Sequence, residues 1–168
     1  EVMKMIVEKF NELCPLSESD TRYKFNVHSN MKPTMWNMAD SSINQYADWV
    51  EVVGDVRMTP FYDPFVLKTQ LLEYANGIDV TKLPQWHSSF GAVVDDLEAK
   101  IEFEWIFGPY CGIACDLDSP GYKMIKDATL KHYPSCDSCS NLGAVPLVKE
   151  MQDAGIDIQI RGYGVGAV

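Results

Sequence analysis

The sequence predicts an α+β fold in two parts, and three observations carry that expectation. In the first part, apolar residues switch between helical and two-residue spacing in the order helix, strand, strand, helix, strand. Beyond about residue 110 the order becomes helix, helix, strand, which reads as an α/β unit. A chain of 168 residues, 46% of them apolar, is long enough to bury a full core.

Met3, Ile6, Val7, Phe10, Leu13 and Cys14 recur at steps of three and four, one face of a helix that ends before Pro15. Ser17 to Thr21 is polar and is expected to be a loop. Lys24 to His28 alternates as a short strand, and Asn30 to Ser42, with Pro33 and several turn formers, is expected to be irregular. From Trp49 to Met58 the period is two: Val52, Gly54, Val56 and Met58 share one face, and Glu51, Val53, Asp55 and Arg57 the other.

Asp63 and Pro64 start a helix, because the carboxylate accepts a terminal amide bond and Pro gives up no useful donor at the first helical position. It should run to about Asn76, with Gly77 as a left-handed stop. Residues 78 to 99 offer at most a helical turn around Val93 to Ala99. Ile101, Phe103, Trp105 and Phe107 then form the apolar side of a further strand, with Glu102 and Glu104 on its wet side. This order is that of a ferredoxin-like domain lacking its first strand. Asp118 and Ser119 start a helix over Pro120 to His132, followed by a second helix over Ala144 to Ala154 and a strand over Ile156 to Ile160. The expected domains are 1–110 and 111–168.

A formal net charge of −10 argues against nucleic acid as a partner, since phosphate-backbone binding needs a clustered excess of Lys and Arg. No run of about 20 apolar residues suggests a membrane span. Five cysteines are an odd number for a disulfide scaffold, so a reducing, intracellular compartment is expected, with no targeting segment visible. The chain starts inside a helical pattern and stops in a Gly-rich apolar stretch, as an internal segment would.

The blocks SNMKPTMW, SINQ, GDVRMTPFYD, GIACDLDSPG, LGAVPL and MQDAGIDIQIRGYG follow one another in the order of the plant-type acetylornithine deacetylases. The chain resembles that group of the zinc-dependent aminoacylase and desuccinylase-like metallopeptidase family over nearly its whole length. The resemblance implies that residues 1–110 are most of a lid that makes a homodimer contact. It implies that 111–168 return into an α/β catalytic domain whose two zinc ions hydrolyse N-acyl amino acids, a step of arginine biosynthesis. Two metals polarise the acyl carbonyl and activate a bridging water, while a Glu carries the proton to the leaving amine. That chemistry needs a His-x-Asp pair, a Glu-Glu pair, a further carboxylate and a late His. His28, His87 and His132 have no partners at such spacing, so no zinc of that pair is expected on this segment, and alone it should be inactive.

The resemblance assigns substrate contact to Asn44, reaching across the dimer, and to Arg57, gripping a substrate carboxylate with its planar fork of donors. Asn44 equally suits a turn cap, and Arg57 an ion pair with Asp55 or Glu51. Two departures stand out. The family's Gly-rich run before the Asn reads ADSSINQYADW here, and Ala144 replaces a Thr in LGAVPL. They favour a second reading, a non-catalytic homologue or split subunit in a larger assembly. The partner is then the rest of the parent enzyme or a companion chain.

Cys111, Cys115, Cys136 and Cys139 have the two-plus-two spacing of a structural zinc site, although isolated thiols explain them as well. Trp36, Trp49, Trp86 and Trp105 lack the spacing of a base-stacking platform. GYGVG lacks the Lys-Ser/Thr of a phosphate loop.

Overall fold

The computed structural model describes residues 1–25, 27–39, 44, 47–83, 100–108, 110–136 and 147–159. Its elements in chain order are α1 (Val2–Leu13), α2 (Glu18–Arg22), β1 (Asn30–Met38), β2 (Val50–Arg57), α3 (Pro64–Asn76), a 3-10 turn (Val80–Lys82), α4 (Pro120–Leu130) and α5 (Val148–Asp153). The mixture of helix and sheet is α+β in the broad sense. Among the described residues no helix is long and apolar enough to cross a membrane. The chain divides into two compact units: Glu1–Pro15, Asn30–Val56 and Pro64–Pro109 form the first, and Leu16–Ser29, Arg57–Asp63 and Tyr110–Val168 the second.

The first unit is built on α1. Ile6 and Phe10, one helical turn apart, are buried, and so are Leu67, Leu71 and Ala75 at the same spacing along α3. α1 packs on α3 and on β1, whose Met31 adds to this core. Phe10 and Leu71 lose all solvent contact, each stabilising the unit by about 1.5–3 kcal/mol. Lys9 secures the rim, 5.6 Å from the Tyr74 ring centroid and 2.9 Å from Glu12.

β1 and β2 pair as an antiparallel hairpin. The Ala39 amide donates to the Trp49 carbonyl, Asn37 bridges to Glu51 at 2.6 Å, and the Thr34 hydroxyl donates to the Val53 carbonyl. β2 lies where alternation predicts it. β1 occupies a stretch expected to be irregular: Pro33 is admissible because a two-stranded sheet consists only of edge strands. Ile101 to Phe107 forms no ladder. Its burial nevertheless alternates over Ile101, Phe103 and Trp105 against Glu102 and Glu104, and the Phe103 and Trp105 rings meet edge to face at 5.9 Å.

α3 starts and ends as expected, but not by the expected device. Gly77 does not enter the left-handed region. Its N–H instead bonds both the Glu73 and Tyr74 carbonyls, continuing the helical turn. A Cβ there would meet those carbonyl oxygens at 3.4 and 3.5 Å, ordinary contact distances. Gly77→Ala is therefore expected to stabilise the chain by about 0.5–1 kcal/mol, read from thermal or urea melts. Destabilisation would show that Gly77 is left-handed in solution. The left-handed stop occurs at Gly155 after α5, with φ +81 and the paired bonds Gly155 N–H to Gln152 O and Ile156 N–H to Met151 O.

In the second unit, Ser17 to Thr21 is not a loop. The Ser17 hydroxyl accepts from the Asp20 amide while the Asp20 carboxylate accepts from the Ser17 amide at 2.7 Å, a capping box that starts α2. The described residues of Lys24 to His28 form no strand either: Lys24 is left-handed at φ 56, Phe25 makes only an isolated bridge, and Asn26 lies outside the described residues. α4 begins as expected, with Ser119 accepting from the Tyr122 amide at 3.1 Å. α5 is shorter than the helix expected from Ala144, and residues 156–159 form no strand. The expected turn at 93–99, Ala144 and Ile160 lie outside the described residues.

Candidate functional site

Arg57 ends β2 with its side chain exposed, and the residues after it are tightly held within the second unit. Thr59 is buried, its amide donating to the Ser29 hydroxyl at 3.0 Å and its own hydroxyl lying 3.3 Å from the same oxygen. Phe61 packs against Phe25 edge to face at 5.6 Å and against Tyr23 at 5.2 Å. Pro60 backs onto Gly112, where an added Cβ would meet it at 3.4 Å. Arg57 is thus followed directly by a fixed anchor.

Asp20 underlies this anchor. It is almost wholly buried, and burial alone would push its carboxyl up. Hydrogen bonds from the Ser17 hydroxyl (2.6 Å) and amide, with the Thr59 hydroxyl and the charge of His28, outweigh burial and hold it below the usual carboxylate range. Sequence reasoning missed this residue, although Ser17 followed three positions later by an acid was the visible signal.

The start of α4 is the other polar cluster. Asp157 accepts from the Gly121 amide at 2.9 Å, Gln159 donates to both Asp157 and Ser119, and Gln152 donates to the Ala114 carbonyl. Gln159 and the Gly121 amide hold the Asp157 carboxyl below its ordinary range. A Cβ at 121 would sit 2.5 Å from the Asp157 carboxylate, so any other residue there would displace that side chain. Arg22 reaches Asp118 at 3.3 Å. The segment GIACDLDSPG is thus pinned at Gly112, Ala114, Asp118, Ser119 and Gly121.

The chain is 33% identical over 153 aligned positions to an acetylornithine deacetylase of Dictyostelium discoideum, covering 86% of this chain and 34% of that protein. It is 34% identical over 170 positions to an acetylornithine deacetylase of Arabidopsis thaliana, covering 99% and 39%. The chain is acetylornithine deacetylase-like. It spans between a third and two fifths of the length of these curated relatives. No family model matches it, and no solved structure does.

In this acetylornithine deacetylase-like chain, Asn44 lies in a turn between β1 and β2 and is exposed. It belongs to the first unit and Arg57 to the second. Among the described residues no group of three or more His, Cys, Asp or Glu could hold a metal ion. Cys111, Cys115 and Cys136 are free thiols that do not gather as a zinc site requires, and Cys139 lies outside the described residues.

Proposed function

We propose that this chain is the lid and substrate-contact segment of a zinc-dependent N-acyl amino acid amidohydrolase. The observation that carries this reading is the alignment to an acetylornithine deacetylase along 99% of the chain. On this reading residues 1–110 form a partial, ferredoxin-like lid that makes the homodimer contact, and 111–168 belong to the catalytic domain. The sequence has neither the His-x-Asp nor the Glu-Glu pair that a zinc pair of this kind needs, so on this reading its ligands come from the remainder of the parent protein or from a companion chain. The two ions, when bound, supply the activated water. This chain contributes Arg57, which orients a substrate by its carboxylate, and Asn44, which hydrogen-bonds near the scissile carbonyl across the dimer.

In the whole protein that carries this chain, Arg57→Ala should raise KM for carboxylate-bearing N-acyl amino acids by at least about tenfold, the loss of a charge-assisted bidentate pair. The corresponding esters should be affected far less. Equal effects on acids and esters would remove the carboxylate role.

The second reading, a non-catalytic homologue or split subunit with a structural role, is favoured by Ala144 and by the altered residues around Asn44. It is distinguished by assay of the whole protein with zinc supplied. Turnover of N-acetylornithine supports the enzyme; stable zinc-free assembly without turnover supports the subunit.

A further inference from the structure

Asn76 and Gly77 form the sequence's one Asn-Gly pair, and both are exposed at the end of α3. A glycine carries no Cβ to shield its amide nitrogen, so in this pair that nitrogen reaches the neighbouring side-chain carbonyl carbon with the least hindrance. In the folded chain the same nitrogen is engaged. The Gly77 N–H donates to the Glu73 and Tyr74 carbonyls at 3.1 Å each. These bonds keep Asn76 helical, and a five-membered ring between the Gly77 nitrogen and the Asn76 side chain cannot close without rotating the Asn76 backbone out of the helix. Only the last turn need open to release it, and helix ends open most readily.

We propose that Asn76–Gly77 is a site of spontaneous deamidation and isomerisation, gated by fraying of the last turn of α3. The Gly77 nitrogen loses its proton to solvent and bonds to the Asn76 Cγ, and the side-chain amide leaves as ammonia. Water then opens the resulting succinimide at one of its two carbonyls, giving aspartate or isoaspartate. Water is the one co-reactant, and nothing is oxidised or reduced.

The product puts a carboxylate where the helix dipole already concentrates negative charge, with Glu73 one turn before it and Asp79 three residues after it. The nearby cation Lys82 is already paired with Asp79 at 2.9 Å. Isoaspartate adds a methylene to the main chain and breaks the helical register outright. Gly77 and Ile78 also wall a groove of about 630 Å³ together with Met5, Tyr74 and Leu83, so the modification loosens that groove as well.

The test incubates the full chain at mildly alkaline pH, natively and in urea. Peptide Thr69–Lys82 is followed by mass spectrometry, with an isoaspartyl methyltransferase assay for the isomer. Conversion at Asn76 is expected in both samples, natively slower by about tenfold, the equivalent of about 1.4 kcal/mol of local opening. Gly77→Ala should slow the reaction in urea, where only steric shielding can act. Asn76→Asp should lower the hydrogen-exchange protection of the Gly77 amide. Equal rates in both samples would remove the gate, and an unreacted Asn76 in urea would remove the site. A native rate more than about a thousandfold below the urea rate would also overturn the proposal, because the turn would then open only with the whole unit.

Discussion

Phe10→Ala should cost the chain about 3–5 kcal/mol, the usual loss for emptying an aromatic site in a packed core. Phe10 has no solvent exposure, and α1, which carries it, is the element on which both α3 and β1 pack. The cavity would therefore lie at the centre of the first unit, where helix-helix and helix-sheet contacts meet. Since single domains are stable by about 5–15 kcal/mol, the loss takes about a fifth of the total or more. Urea denaturation measures it: the midpoint should fall, with Phe10→Leu falling much less because volume is nearly kept. A loss below about 1 kcal/mol for the alanine variant would mean that α1 is not seated on α3 as described.

Asp20→Ala should be the costliest polar change in the second unit, at about 3 kcal/mol, since it strips a buried charged acceptor from the half-buried Ser17 amide and hydroxyl. Its signature is pH dependence. The Asp20 pKa is lowered on folding, so its contribution is fully present above the ordinary carboxylate value of about 4 and is lost as pH falls through the lower folded value. The stability gap between native chain and variant should be widest near neutrality and close on acidification. A gap that stays constant down to the acid transition would show that the carboxylate gains no charge-dependent bonds.

How far the sequence could be read follows from what each element depends on. α1, β2, α3 and α4 are each specified locally, by an apolar stripe, by alternation, or by a start signal such as Ser119 and Pro120. Their bounds follow within a few residues. α2 has only five residues and no amphipathic face, so it exists through the Ser17–Asp20 exchange alone. β1 was hidden for a different reason. A strand that is mostly exposed has no apolar alternation to display, and its pairing with β2 is information held by the other strand. Ile101 to Phe107 shows the converse: alternation sets which side chains are covered without supplying a hydrogen-bonded neighbour.

At the candidate site, the role of Arg57 comes only from the resemblance, while its place on the polar face at the end of β2 was legible from alternation. The support beneath it was not, because Ser29, Thr59, Asp20 and Phe25 come from separate stretches that only the folded chain assembles. Asp157 and Gln159 were read as part of a strand, yet they act as acceptor and donor at the start of a helix 36 to 40 residues earlier.

The division of each unit among three separate stretches governs how the chain can be made. As it emerges during synthesis, residues 16–29 and 57–63 are complete while α4 and α5 of the same unit do not yet exist. Until then the Ser29–Thr59 hydroxyl contact and the Phe25–Phe61 ring pair are the early links in that unit. Its last closures span long separations, 96 residues for Arg22 and Asp118, and such closures come slowly because loop entropy is lost before packing compensates for it. The half-built second unit is thus an interval in which its apolar side chains, Phe25 and Phe61 among them, await their covering partners.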